Sequence, residues 1–305
     1  MRIVYFGNNP RGVQCLEAIS RAGFEISAVV THHGARDEGD GGSVLPIAEK
    51  LAVPMFTPRD VNSEEFVSTI RGLKPDLLIL AGYNPFLKKG LLSIPAKGAI
   101  NLHGGLLPYY RGGSPINWQI INGETIGACA IIYVDEGIDT GDIIKQESYP
   151  IGPDETAGDA TRKTLEIFPR LLLETLREIK ENRVTFIKQD TSLGAYYCKR
   201  YPQDGRIFWR EMTDFQVHNL VRALNGPRLF GAFTYLNGKK IILWKTKRLS
   251  RTVKGTPGRI ALKDEEGVIV ATAGKALLVT EIKEEEGGPI VPAKDFFKIR
   301  GWTFE

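Results

Sequence analysis

The sequence predicts an α/β protein in two parts: a doubly wound, Rossmann-like N-terminal domain and a small C-terminal OB-like β-barrel domain. Three observations carry this expectation. Over residues 1–150 short apolar runs alternate with stretches of helical spacing, the pattern of a sheet flanked by helices. The segment Tyr201-Pro202-Gln203-Asp204-Gly205 then breaks the texture with proline and glycine. Beyond it, short apolar runs recur between glycine-rich turns, as in small β-barrels. The expected division is residues 1–203 and 204–305.

Each element follows from its own residues. Residues 3–6, Ile-Val-Tyr-Phe, are β-branched or aromatic and read as the first strand. The turn after it, Phe6-Gly7-Asn8-Asn9-Pro10-Arg11-Gly12, has a passing likeness to a dinucleotide or phosphate loop. It lacks the G-x-G-x-x-G spacing and the Walker lysine, so it reads as a turn into a helix over residues 13–22. Further strands are expected at 26–31, 77–81, 98–102 and 128–134, with helices at 44–51, 63–73 and 115–122. Residues 154–182 open with capping chemistry and keep Leu165, Phe168, Leu172, Leu176 and Ile179 on one face, a long scaffold helix. Past the break, Thr213 can cap a helix through Leu224, and strands follow at 232–236, 240–245, 258–262, 267–271 and 276–281. Doubly wound sheets bind ligands outside the carboxyl ends of their strands, where Phe6-Gly7-Asn8, Ala81-Gly82-Tyr83 and Asn101-Leu102-His103 fall.

With 42% hydrophobic residues over 305 positions, the chain can bury a substantial core. No apolar stretch reaches the length of a membrane span, and the N-terminus opens directly into a strand pattern, so a cytoplasmic protein is expected. Cys15, Cys129 and Cys198 are widely separated, with neither a disulfide framework nor a metal-ligand spacing; they read as small packing residues, and no metal is expected. The net charge of +4 is mild, but the positive excess lies in residues 204–305. There, Lys239, Lys240, Lys245, Lys247, Arg248, Arg251 and Lys254 occur with no intervening acid, either a solvated strand edge or a track for phosphates.

The chemistry centres on His103, one of only four histidines. Residues i and i+2 of a strand project to one side, so Asn101 and His103 converge beyond the strand end. An imidazole can take or give a proton near neutrality, and an amide can donate to an oxygen that becomes negative in a tetrahedral intermediate. Asp139, in Asp135-Glu136-Gly137-Ile138-Asp139-Thr140-Gly141-Asp142, follows an apolar run and can bring a carboxylate to the imidazole, with Gly137 and Gly141 permitting the tight turns. Singly, each has a plain structural reading: a core histidine, a strand cap, a turn residue. Gly104-Gly105 beside the histidine leaves room for close approach of a flat ligand. No serine or cysteine occupies a nucleophile elbow, so direct transfer between two bound substrates is more natural than a covalent intermediate.

These residues resemble the shared core of the folate-dependent formyltransferases, N-x-H-G-x-L-L-P-x-x-R-G followed by D-x-G-x-D-x-G. Here they are Asn101, His103, Gly104, Leu106, Leu107, Pro108, Arg111 and Gly112, then Asp135, Gly137, Asp139 and Gly141. The likeness runs over nearly the whole chain, since the C-terminal part is similar to the family's small OB-like domain, entered through Gly205-Arg206-Ile207-Phe208-Trp209. The resemblance implies transfer of a formyl group from 10-formyltetrahydrofolate to a primary amine, without a metal. It implies a catalytic trio of Asn101, His103 and Asp139, the first two stabilising the oxyanion and Asp139 pairing with the histidine. It places the folate against Pro85, Phe86 and Leu87, against Gly104, Leu106, Leu107 and Pro108, and against Asp135, Glu136, Gly137 and Ile138. Asn8, Tyr83, Arg111 and Trp118 are left for the acceptor.

Two branches of the family differ in that acceptor, a nucleotide-linked amino sugar in one and methionyl initiator tRNA in the other. In the tRNA branch a basic loop follows the second strand and reaches the acceptor stem. Here residues 31–42 carry Asp37, Glu38 and Asp40 against Arg36, which would repel phosphates. Residues 44–62 and 217–223 also look more like the sugar-nucleotide enzymes. The amino sugar is therefore the first expectation and the tRNA the alternative, with the basic stretch at 239–254 in its favour. Gly113 stands where the aminoarabinose-modifying relatives carry a second arginine, which weighs against that sugar. A non-catalytic folate- or nucleotide-binding protein is a third reading, disfavoured because all three catalytic positions are filled. The chain is expected to be a stand-alone transferase without a membrane partner, and a homodimer through the C-terminal part is compatible with it.

Overall fold

The computed structural model describes residues 1–32, 42–226, 230–284, 288–297 and 302–305; the acidic stretch of the 31–42 loop, residues 33–41, lies outside the described residues. The chain clusters into two compact units that interleave in sequence. The first comprises Met1–Gly112, Ala128–Tyr149 and Arg162–Tyr196, the second Gly113–Gly127, Pro150–Thr161 and Tyr197–Glu305.

The first unit is built on β1 (Arg2–Gly7), β2 (Glu25–Val30), β3 (Met55–Phe56), β4 (Leu77–Ala81) and β5 (Ala99–His103). A short β6 (Tyr110–Gly112) follows, then β7 (Ile126–Tyr133) and β8 (Ile143–Pro150). Seven of these form one sheet in the order β3-β2-β1-β4-β5-β7-β8, parallel from β3 to β5 and antiparallel between β5 and β7. The order reverses direction at β1/β4, the switch point of a doubly wound fold. β4, Leu-Leu-Ile-Leu-Ala, is buried throughout, as a parallel strand covered on both faces must be. Helices α1 (Asn9–Arg21), α2 (Leu45–Lys50), α3 (Glu64–Gly72) and α4 (Lys89–Leu92) connect these strands. The hydroxyl of Ser63 accepts from the Phe66 amide and Glu64 and Glu65 lie in the first turn of α3, a cap that contributes about 1 kcal/mol. Below it Phe66 and Ile70 pack with Val4, Phe6, Leu78 and Leu80.

Two further strands of this sheet were not expected. β3 has two residues, too few for a periodic signal, and pairs through Val29 with Met55 and Val30 with Phe56. β8 lies at the sheet edge and buries mainly its first residues, Ile143 and Ile144, and Tyr149, so its sequence lacks a strand's apolar run.

Helix α5 (Pro115–Ile121) belongs to the second unit; α6 (Ala157–Lys180) is the expected long helix, and β9 (Ala195–Tyr197) pairs with β6. In the second unit α7 (Asp214–Ala223) follows a capping box between Thr213 and Gln216. Its strands β10 (Ala232–Leu236), β11 (Lys239–Arg248), β12 (Ile260–Lys263), β13 (Val268–Ala271), β14 (Ala276–Lys283) and β15 (Val291–Pro292) make one antiparallel sheet, followed by α8 (Ala293–Phe296). Trp209, Leu220, Leu243, Leu277 and Phe297 fill the core of this β domain. On α7, buried His218 shares hydrogen bonds with the Thr246 hydroxyl (2.9 Å) and the Pro153 carbonyl (3.1 Å), and Arg222 donates to the carbonyls of Gly152 and Glu155.

The basic stretch is less basic in space than in sequence. Lys245 meets Glu281 at 3.8 Å, Arg248 meets Asp214 at 3.3 Å, Arg251 meets Asp264 at 3.3 Å, and Lys247 is paired with Glu266. These carboxylates come from β14, from the turn between β12 and β13 and from α7, so a count along the chain misses them. The cysteine expectation holds for Cys15 and Cys129, whose burial pushes both thiols up to about 12, but Cys198 is exposed. Among the described residues no helix is long and apolar enough to cross a membrane.

Candidate active site

Strand β5 delivers Asn101 and His103 at its carboxyl end, with Leu80 and Ile132 flanking Asn101 and Ala130 opposite His103. The loop after β7 delivers Asp139, and it is anchored on β5 itself because the Val134 amide donates to the Ala99 carbonyl (2.8 Å). The three side chains meet. Asn101 Nδ2 donates to Asp139 Oδ1 (3.2 Å), and His103 Nδ1 lies 3.3 Å from Asp139 Oδ2. Oδ2 also accepts the Gly112 amide (2.9 Å), so the carboxylate faces three nitrogens.

The other edge of the imidazole fixes its proton. His103 Nε2 sits 2.6 Å from the Tyr110 carbonyl oxygen, which can only accept, so Nε2 carries a hydrogen. Only the Nδ1 edge, facing Asp139, is then free to exchange a proton. The histidine side chain is 5% exposed and the aspartate 14%, so the carboxylate is the wetter end of the pair.

The glycines of the loop act differently from the sequence expectation. Neither Gly137 nor Gly141 has a positive φ; Asp139 itself does, at 53°, a left-handed conformation that aspartate tolerates better than most residues. Gly141 is needed for space, since a Cβ there would stand 1.8 Å from the Tyr133 carbonyl oxygen. Asp135 shapes the loop start by accepting the Gly137 amide (3.0 Å) and the Thr140 hydroxyl (2.7 Å), and Glu136, Gly137 and Ile138 cross the turn between them.

After His103, Gly104 leads into Leu106-Leu107-Pro108, with a cis bond before the proline. Leu107 is buried against Ala130, Ile132 and Ile143, and its backbone is held by Gln146, whose Oε1 accepts the Leu107 amide (2.8 Å). Pro85, Phe86 and Leu87 lie in the loop after β4; Leu87 is buried in the core, whereas Phe86 is exposed. Pro85 and Phe86 line an open cleft of about 350 Å³ together with Tyr83, His32, Asn62 and Lys88. Tyr83 stacks on His32 with centroids 4.9 Å apart, and burial pushes its hydroxyl up to about 12. Asn8 forms the turn into α1, its amide donating to the Ala81 carbonyl (3.3 Å).

Two residues expected at the acceptor are engaged elsewhere. Arg111 is 9% exposed and its guanidinium donates to the carbonyls of Thr191 (3.1 Å) and Leu193 (3.4 Å). Trp118, in the second unit, donates to the Cys198 carbonyl (2.9 Å) and carries the Arg200 guanidinium over its ring at 4.8 Å. Sequence reasoning missed Gln189, whose Nε2 donates to the carbonyls of Asp139 (3.0 Å) and Gly141 (2.6 Å). A lone glutamine fifty positions from its partner carries no local signal. Arg11 was likewise unassigned; its Nη1 donates to the Leu102 carbonyl (3.0 Å) between Asn101 and His103. Among the described residues no group of three or more His, Cys, Asp or Glu could hold a metal ion.

A doubly wound sheet with an amide, an imidazole and a carboxylate joined at its carboxyl edge defines an α/β group-transfer enzyme, equipped to stabilise charge and move a proton. Family models narrow the class: "Formyl transferase" matches residues 1–176 and "Formyl transferase, C-terminal domain" matches residues 199–301. The chain belongs to the formyl transferase family. It is 36% identical over 288 residues to the methionyl-tRNA formyltransferase of Acetivibrio thermocellus, covering 93% of this chain and 92% of that protein. It is 33% identical over 310 residues to the methionyl-tRNA formyltransferase of Geobacter sulfurreducens, covering 100% and 95%. Among solved structures, an N-formyltransferase from Helicobacter canadensis, in complex with folinic acid and dTDP-3-aminofucose, superimposes with a TM-score of 0.69 at 21% identity, over 91% of this chain and 98% of that one.

Proposed function

We propose that this protein transfers a formyl group from 10-formyltetrahydrofolate to the α-amine of methionyl-tRNA, with Asn101, His103 and Asp139 as the catalytic residues. The chemistry rests on the hydrogen-bonded chain from Asn101 through Asp139 to His103. The acceptor rests on relatives that match over nearly their whole length and bear that name, which reverses the order expected from the sequence. The folate donor is supported by the family and by folinic acid in the Helicobacter canadensis structure. Residues 1–203 would form the catalytic part and 204–305 the OB-like part.

In this reading the amine attacks the formyl carbon and the carbonyl oxygen becomes negative. Asn101 has two amide hydrogens, one spent on Asp139, and the second is available to that oxygen. The new C–N bond leaves a proton on the amine nitrogen, and the C–N10 bond breaks as N10 gains one. With Nε2 committed to Tyr110, the Nδ1–Asp139 pair is the group that accepts and returns that proton.

One observation favours the nucleotide-linked amino sugar as a second reading: Asp37, Glu38 and Asp40 stand where a tRNA-binding loop would be basic. The basic residues of β11 that are paired with acids add to it. Against it, Lys283 over Trp244 (3.6 Å) and Arg206 beside the exposed Phe208 give the second unit basic groups able to meet phosphates. Formylation of charged initiator tRNA and of a panel of nucleotide-linked amino sugars, measured side by side, separates the readings. Turnover on the tRNA, with a KM rising steeply with salt, is expected; turnover confined to a sugar would reject the tRNA.

A further inference from the structure

We infer that residues 187–195 form a strap whose work is to position the catalytic pair, with Gln189 and Arg111 as its positioning residues. The inference rests on the proposed roles of His103 and Asp139 and assigns what holds them.

The strap is fixed at both ends by backbone. The Ile187 amide and carbonyl each bond to Ile143 at 2.8 Å, at the start of β8, and the Ala195 amide donates to the Tyr109 carbonyl (3.1 Å) beside β6. Between those ends it grips two other segments. Gln189 reaches the Asp139 loop, donating from one nitrogen to the carbonyls of Asp139 and Gly141, which close the turn that sets the aspartate's left-handed φ of 53°. Arg111 reaches back from β6 to the Thr191 and Leu193 carbonyls. On either side of Arg111 are the two backbone groups that orient the site: the Tyr110 carbonyl on His103 Nε2 and the Gly112 amide on Asp139 Oδ2. The strap therefore ties the segment that sets the histidine's proton to the segment that carries its carboxylate.

The chemistry of Gln189 is specific to a donor. Both contacts are to carbonyl oxygens, so the amide must present nitrogen, and its Oε1 makes no hydrogen bond among the described residues. The residue is 8% exposed. Leucine there would remove the donor, and glutamate would aim a charge at two carbonyl oxygens until it is protonated and can donate again. Two buried hydrogen bonds correspond to roughly a ten- to hundredfold effect on a rate that depends on the geometry they hold.

The test measures formyl-transfer kcat and KM, and the imidazole 15N resonances of His103, in wild type, Gln189→Leu, Gln189→Glu and Arg111→Lys. The strap predicts kcat lowered about ten- to hundredfold in Gln189→Leu, with both KM values within about twofold of wild type, and a displaced His103 Nδ1 resonance. Gln189→Glu falls below Gln189→Leu at neutral pH and recovers relative to it as pH falls. Arg111→Lys, which keeps the charge but loses the fork, shows a smaller loss of the same kind and carries the test if Gln189→Leu fails to fold. Unchanged His103 resonances, or kcat within about twofold of wild type in folded variants, would overturn the strap. Absence of formyl transfer by the wild type would instead reject the proposed function, and the resonances would still decide the positioning role.

Discussion

Replacing Asp139 by asparagine is the most discriminating single change at the cluster, because it preserves shape while breaking the donor and acceptor pattern. The carboxylate accepts Asn101 Nδ2 at 3.2 Å on one oxygen and the Gly112 amide at 2.9 Å on the other, which also faces His103 Nδ1 at 3.3 Å. Asparagine has one acceptor oxygen. If that oxygen stays with Gly112 and His103, its NH2 points at the amide nitrogen of Asn101; turned around, it points at the Gly112 N–H. Either way at least one hydrogen bond to a charged group is lost, about 2 kcal/mol, and two donors are brought together. The proton-accepting partner of Nδ1 disappears as well, so kcat should fall by roughly 10²–10⁴. The assay is single-turnover formyl transfer to whichever acceptor the wild type uses, alongside the melting temperature, which should drop by several degrees. An Asp139→Asn enzyme that turns over within about fivefold of wild type would refute the role of the pair.

Three other outcomes follow from the packing. Gly141→Ala places a Cβ 1.8 Å from the Tyr133 carbonyl oxygen, so the loop must move; calorimetry should show a loss of about 1–3 kcal/mol together with a fall in kcat, and a neutral result would contradict the close approach. Burial holds the His218 imidazole below its ordinary value, outweighing the Pro153 carbonyl that raises it. Its stabilising contribution is therefore complete above the unfolded value of 6.5 and lost as pH falls below that toward the folded one. The melting temperature of wild type should drop more between about pH 7.5 and 5.5 than that of His218→Gln, and parallel curves would reject this. Lys283→Ala, removing a cation held over Trp244, should raise KM for tRNA severalfold without touching the folate KM, whereas an unchanged tRNA KM would remove this face from the acceptor site.

The sheet was legible because its central strands are apolar runs buried on both faces, while β3 and β8, one too short and one too polar, were not. Asn101 and His103 could be paired from strand geometry alone, and the motif around Asp139 supplied the third member. What the chain could not reveal is what holds them. The Tyr110 carbonyl on Nε2 is a backbone group, and the Gln189 clamp joins residues whose contact exists only once the sheet has formed. The same limit explains the glycines: composition suggested flexible turns at Gly137 and Gly141, whereas the positive φ belongs to Asp139. It also explains the basic stretch, whose compensating acids Glu281, Glu266, Asp214 and Asp264 arrive from elsewhere in the fold.

Formyl transfer at this cluster is tested most directly by the single-turnover rate of His103→Ala and Asn101→Ala with 10-formyltetrahydrofolate and the wild type's acceptor. Both folded variants should lose at least roughly a hundredfold in rate while still binding the folate, because the proton handler or the oxyanion donor is gone and the surrounding loops remain. Either variant transferring formyl at the wild-type rate would contradict the assignment of the chemistry to Asn101, His103 and Asp139.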